Sequence, residues 1–96
     1  MFNTIILLKS EEKLTRTEYK KFSKGDTIYG CDTNPIELKR WSIDDKQDAQ
    51  DELAKYKCTY DDGAEICFIT EYALEYCECD VNGEFVSGSD FVLARE

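Results

Sequence analysis

The sequence reads as an α+β domain, an antiparallel sheet of four or five strands with one helix packed on a face. Three features support this. Short runs rich in Ile, Val, Thr, Tyr and Phe recur along the chain, and such residues favour pleated, half-buried backbone. Ile43 to Lys57 carries a helical apolar stripe behind a capping serine. Asn82-Gly83 separates two apolar alternating runs, which is a strong hairpin signal. A chain of 96 residues has room for one core, so residues 1–96 are read as a single domain.

The first strand is expected at residues 2–9, where Ile5, Ile6, Leu7 and Leu8 form a continuous apolar run. Such a run implies burial on both faces and an interior place in the sheet. Ser10-Glu11-Glu12-Lys13 reads as a polar connection. Thr15 to Phe22 alternates in part and predicts a second strand, paired with the first as a hairpin. Ser23-Lys24-Gly25-Asp26 is a turn signal, Thr27-Ile28-Tyr29 a short strand, and Asp32-Thr33-Asn34-Pro35 a loop. Ile36 to Trp41 alternates again and reads as the third strand.

Ser42 opens the helix as its cap, and Asp44 and Asp45 place negative charge at the positive end of the dipole. Ala49, Leu53 and Tyr56 recur at spacings of four and three, which fixes the apolar face. Trp41 before the cap reads as a staple onto the first turn. Asp61-Asp62-Gly63 is a turn signal. Beyond it, Ile66, Phe68, Thr70, Tyr72, Leu74 and Tyr76 alternate with Cys67, Ile69, Glu71, Ala73, Glu75 and Cys77. The first set is expected to face the core and the second to grow more exposed along the strand. A helix over Glu71–Tyr76 competes, but the aromatics and the following Asn-Gly favour strand. Phe85-Val86 and Phe91 to Ala94 form the return strand, and Ser87-Gly88-Ser89-Asp90 is a bulge or a second turn.

Twenty-one acids against twelve bases give a net charge of -9, which disfavours direct binding to nucleic acid or to an anionic membrane. The imbalance is uneven. Residues 1–24 hold six bases and three acids, and residues 25–96 hold the remaining six bases and eighteen acids. On the helix, Asp44, Asp48 and Glu52 stand at i, i+4 and i+8 with Asp51 beside them, so carboxylates recur about every 6 Å. That interval is close to the spacing of phosphates along a nucleic-acid strand. Like charges at i and i+4 destabilise a helix, so the stripe has a cost that a partner could justify. The plain alternative is a solvated face that aids solubility. A second acidic set is expected on the hairpin at Glu71, Glu75, Glu78, Asp80 and Glu84.

The chain has no histidine, so a Ser or Cys nucleophile lacks its usual base. There is no Gly-rich phosphate loop and no nucleophile elbow. Five cysteines are expected as free, mostly buried thiols. The Cys58–Cys67 and Cys77–Cys79 spacings do not fit paired zinc ligands. Neither an enzyme, a metal nor a cofactor is expected. The apolar run at Ile5–Leu8 is too short for a signal-peptide core or a membrane span, which predicts a cytoplasmic protein.

Ser42 to Tyr56, with Glu71-Tyr72-Ala73-Leu74-Glu75 and Asp80 to Asp90, resembles small proteins of phages and mobile elements in low-GC bacteria. The whole profile, short, acidic, single-domain and without a catalytic motif, is similar to anti-CRISPR proteins. This resemblance implies residence in a bacterial host cell. It also implies an inhibitor that imitates the charge of nucleic acid and blocks a nuclease channel or a guide-binding surface. It is a likeness of profile and assigns no residue roles.

The expected function is therefore a small acidic protein-binding inhibitor, a nucleic-acid mimic that occupies a basic groove of a nucleic-acid-binding protein such as a CRISPR effector. The expected contact residues are Asp44, Asp48, Asp51 and Glu52, then Glu75 and Glu78, with Tyr60 beside the Asp61-Asp62-Gly63 turn. The alternative is a non-enzymatic homo-oligomeric or accessory module without mimicry, for example a homodimer joined through an exposed sheet edge.

Overall fold

A computed structural model describes residues 1–15, 17–18, 35–62 and 65–94. Strand β1 (Thr4–Thr15) pairs antiparallel on one flank with β2 (Ile36–Ser42) and on the other with β4 (Ile66–Cys79). The far flank of β4 is shared end to end: β3 (Thr59–Asp62) pairs with Cys67–Thr70 and β5 (Phe85–Leu93) with Ala73–Cys79. The result is a five-stranded antiparallel sheet among the described residues, with helix α1 (Lys46–Leu53) packed on β1, β2 and β4. The α+β class is thus what the chain adopts.

The interior place of β1 follows from its apolar run. Ile5 and Leu7 are fully buried beneath α1, beside Leu74, Tyr76, Ala49, Leu53 and Cys58. Ile6 and Leu8 are buried on the opposite face with Cys77 and Cys79. The strand is longer than residues 2–9, because Ser10 to Thr15 continue the ladder along β4 and do not form a connection. The expected strand from Thr15 to Phe22 does not begin as expected. Thr15 Oγ1 accepts the Glu18 N–H and Glu18 Oε1 accepts the Thr15 N–H, each at 3.2 Å, and Thr17 and Glu18 are helical. This reciprocal Thr-x-x-Glu box is a helix-start signal. The rest of that segment, the short strand at Thr27–Tyr29 and the loop before Pro35 lie outside the described residues.

The helix is shorter than the expected span of Ile43–Lys57. Ser42 caps it, its Oγ accepting the Asp44 N–H at 3.3 Å, but Ile43–Asp45 form a 3₁₀ turn and α-helix runs only from Lys46 to Leu53. The end tightens through i to i+3 bonds from Lys55 N to Glu52 O and from Tyr56 N to Leu53 O. Tyr56 then stacks on Tyr72, ring centroids 4.7 Å apart, and Cys58 is buried in the core beneath α1. Tertiary packing of these two residues ends the helix where its apolar stripe alone would have continued.

The β4 strand corrects the expected facing. Cys67, Ile69, Glu71, Ala73 and Cys77 are buried, whereas Ile66 and Phe68 are exposed and only Leu74 and Tyr76 of the other set are fully covered. An eight-residue helix spans about 12 Å and a fourteen-residue strand about 46 Å, so α1 can cover only part of one face. Asp61 and Asp62 are strand, paired with Phe68 and Cys67, and not the expected turn.

The β4–β5 hairpin forms as expected, through a different turn. Gly83 N–H donates to Asp80 O (2.9 Å), and Gly83 alone has positive φ (+81°) among the described residues. This is a three-residue loop with glycine in the left-handed position, not a two-residue type I′ turn. The Asp80 carboxylate secures it by accepting from Asn82 N and Glu84 N, both at 2.9 Å. Within β5 the Ser87–Asp90 interruption is a bulge, the register shifting between Tyr76 and Cys77. No helix among the described residues is long and apolar enough to cross a membrane.

Candidate partner-binding surface

The acidic stripe of the helix is largely preserved. Asp44 and Asp45 in the 3₁₀ turn and Asp48 and Asp51 on α1 are all exposed, and Asp48 and Asp51 lie away from the side that buries Ala49 and Leu53. Asp51 Oδ1 accepts from Gln47 Nε2 at 3.0 Å, one turn earlier. No lysine or arginine among the described residues lies within ion-pair distance of these four aspartates. Lys46, the nearest base in sequence, places its Nζ 5.7 Å from the centroid of the Tyr76 ring. Three of the four aspartates also lie near the helix N-terminus, where the dipole favours negative charge.

Glu52 belongs to the edge of this face. It is half-buried, with Oε2 3.4 Å from Lys55 Nζ, so part of its charge is met within the chain. Glu75 and Glu78 lie elsewhere. They are three residues apart on a strand, so they point to opposite faces of the sheet. Glu78 Oε2 accepts from Ser87 Oγ at 3.3 Å across the hairpin. Glu75 is half-buried on the face away from α1, opposite Ile6, and burial pushes its carboxyl above the usual range. Glu71 of the expected hairpin set is wholly buried.

Tyr60 is not at an open turn. It is half-buried in β3 and its hydroxyl donates to Glu71 Oε2 at 2.8 Å. The structure therefore gathers Asp44, Asp48 and Asp51, adds Asp45, leaves Glu52 at the margin, and separates Glu75, Glu78 and Tyr60 from them.

No group of three or more Cys, Asp or Glu among the described residues is placed to hold a metal ion. Cys77 and Cys79 share a face with their sulfurs 3.9 Å apart. Burial, then the hydrogen bond to Cys79, pushes the Cys77 thiol up to about 12, so it stays protonated and unreactive at neutral pH. Arg40 Nη1 reaches over this end of the sheet to Gly83 O (2.5 Å), while its other nitrogens bind Glu37.

Sequence reasoning missed a second surface. Phe85, Val86, Phe91 and Val92 of β5 are about half exposed, at 59, 57, 45 and 51%. The signal was present in Phe85-Val86-Ser87-Gly88-Ser89-Asp90-Phe91-Val92, a stretch with four large apolar residues and one charged residue. Beside it, a groove of about 520 Å³ runs between α1 and β5, lined by Leu53, Ala54, Tyr56, Tyr76 and Val92. No protein family, curated protein or solved structure matches the chain.

Proposed function

We propose that the protein acts by binding, as an acidic inhibitor whose helix face occupies a Lys/Arg-lined groove of a nucleic-acid-binding protein, a CRISPR effector being the type of target its profile suggests. The observation that carries this reading is the row of exposed aspartates, Asp44, Asp45, Asp48 and Asp51, with no internal cation paired to them among the described residues. Carboxylates one helical turn apart recur about every 6 Å, an interval suited to side chains that normally grip successive phosphates. Such a face steers association with a basic surface, and salt weakens it.

The test is charge reversal. Partners captured at low salt from a bacterial host lysate are eluted with rising salt and identified, using wild type and the double variant Asp44→Lys, Asp48→Lys. The expected outcome is a nucleic-acid-binding protein whose capture falls at least about tenfold with the variant, while its circular dichroism spectrum is unchanged. Equal capture by both proteins overturns the reading.

A further inference from the structure

The hairpin end of the sheet holds two thiols side by side. Cys77 and Cys79 are two residues apart on β4, so the strand period turns both to the face away from α1. Their sulfurs stand 3.9 Å apart, and both residues are buried in one cluster with Ile6 and Leu8. Arg40 of β2 reaches the same place, its Nη1 donating to Cys79 Sγ at 3.7 Å. A depression of about 340 Å³, lined by Asn3, Arg40, Asp80 and Gly83 among others, reaches Cys79 from solvent. The pair is therefore sheltered and still approachable from one side.

What such a pair can bind follows from the donors it has and those it lacks. Thiol sulfurs are soft donors, which select ions such as copper(I) over hard cations such as magnesium or calcium. No third Cys, Asp or Glu among the described residues joins them to make a larger donor set, and Ile6 and Leu8 supply no donor atom. Structural zinc takes four ligands, so two are too few for it. Copper(I), with a filled d shell and a single charge, is stable between two thiolates alone. With the zinc–sulfur length of about 2.3 Å as a guide, two metal–sulfur bonds laid end to end span about 4.6 Å. The observed 3.9 Å falls short of that by roughly 0.7 Å, a gap that modest rotations about the two Cα–Cβ bonds close within their staggered wells.

We propose that Cys77 and Cys79 form a two-sulfur clamp for a soft monovalent cation, copper(I) being the physiological member of that class. Binding exchanges the two thiol protons, released to solvent, for one ion held between two thiolates. Without the ion Cys77 keeps its proton tightly, so ions with weak affinity for sulfur do not displace it. Arg40 offsets part of the negative charge that the thiolates acquire, and its hydrogen bond to Cys79 Sγ strengthens when that sulfur is ionised. The clamp uses none of the helix aspartates, so it stands or falls independently of the partner-binding reading.

Competition for copper(I) tests it. Without oxygen, and with ascorbate as reductant, the full chain is titrated against the copper(I) complex of bicinchoninate, whose colour is lost as copper is withdrawn. Wild type is expected to withdraw one copper per chain. Cys77→Ser and Cys79→Ser should each weaken that binding at least about 100-fold, beyond the change typical of an outer-shell substitution, with circular dichroism unchanged. X-ray absorption of the wild-type copper complex gives a second reading that needs no variant, and it should show two sulfur neighbours. No withdrawal of copper, withdrawal undiminished by both serines, or a shell of three or more sulfurs overturns the proposal.

Discussion

Single residues explain how a sheet this small is held in register. Asn3 precedes β1, yet its side chain acts as an added strand, the amide nitrogen donating to Cys79 O and the oxygen accepting from Cys79 N, both at 2.9 Å. Its backbone N–H bonds Cys77 O and its carbonyl accepts the Ile43 N–H, so one residue ties β4 to the helix start. Cys77, at the same end, carries a titration consequence. Its thiol is raised to about 12 by burial and the Cys79 hydrogen bond, against roughly 8.5–9 for an exposed thiol. Between those values the folded chain keeps a proton that the unfolded chain has lost. Stability from this site is therefore intact below about pH 9 and declines as pH climbs toward 12. Denaturant unfolding at pH 8 and pH 10.5 should show a steeper loss for wild type than for Cys77→Ala, whatever their absolute stabilities. Parallel losses would remove Cys77 from the account.

At the scale of elements, the β4–β5 hairpin shows how close packing fixes a bulge. A Cβ added at Gly88 would lie 2.9 Å from Glu75 Oε1, 2.9 Å from Phe85 Cε2 and 3.1 Å from Cys77 Cβ. The carboxylate and the ring can move, but the Cys77 Cβ belongs to a buried strand. Gly88→Ala should therefore cost about 1–2 kcal/mol, read as a lower urea midpoint with unchanged slope. A midpoint within error of wild type would mean that the bulge relaxes freely. The same hairpin shows what was legible in advance. Alternation and Asn-Gly located it, and Ser42 with the Ala49–Leu53 spacing located the helix and its acidic face. What escaped depended on neighbours distant in sequence. Ser10 and Glu71 read as surface residues, yet they sit opposite each other in the ladder and are fully buried. Glu75 and Glu78 looked like companions of the helix acids until the two-residue strand period placed them on opposite faces. The Thr15-x-x-Glu18 box was readable, but the β-branched and aromatic content around it pointed toward strand.

For the whole molecule, the dominant electrostatic fact is an uncompensated charge of -9 over 96 residues. Ion pairs among the described residues, Lys9–Glu11, Arg40–Glu37 and Lys55–Glu52, are at least partly open to solvent, and such pairs contribute little. Screening them therefore costs little, while screening the aspartates of the helix face and the acids of the hairpin relieves repulsion that opposes the compact state. Salt should stabilise the fold. Raising sodium chloride from 20 to about 500 mM should lift Tm by a few degrees, since roughly 1 kcal/mol moves the midpoint of a domain this size by about 4–8 °C. Asp44→Lys, Asp48→Lys takes the net charge from -9 to -5 and should shrink the salt response of the monomer. A Tm that falls with salt would mean that internal ion pairing outweighs self-repulsion, and that the aspartates are held by the protein's own cations instead of standing open to a partner's.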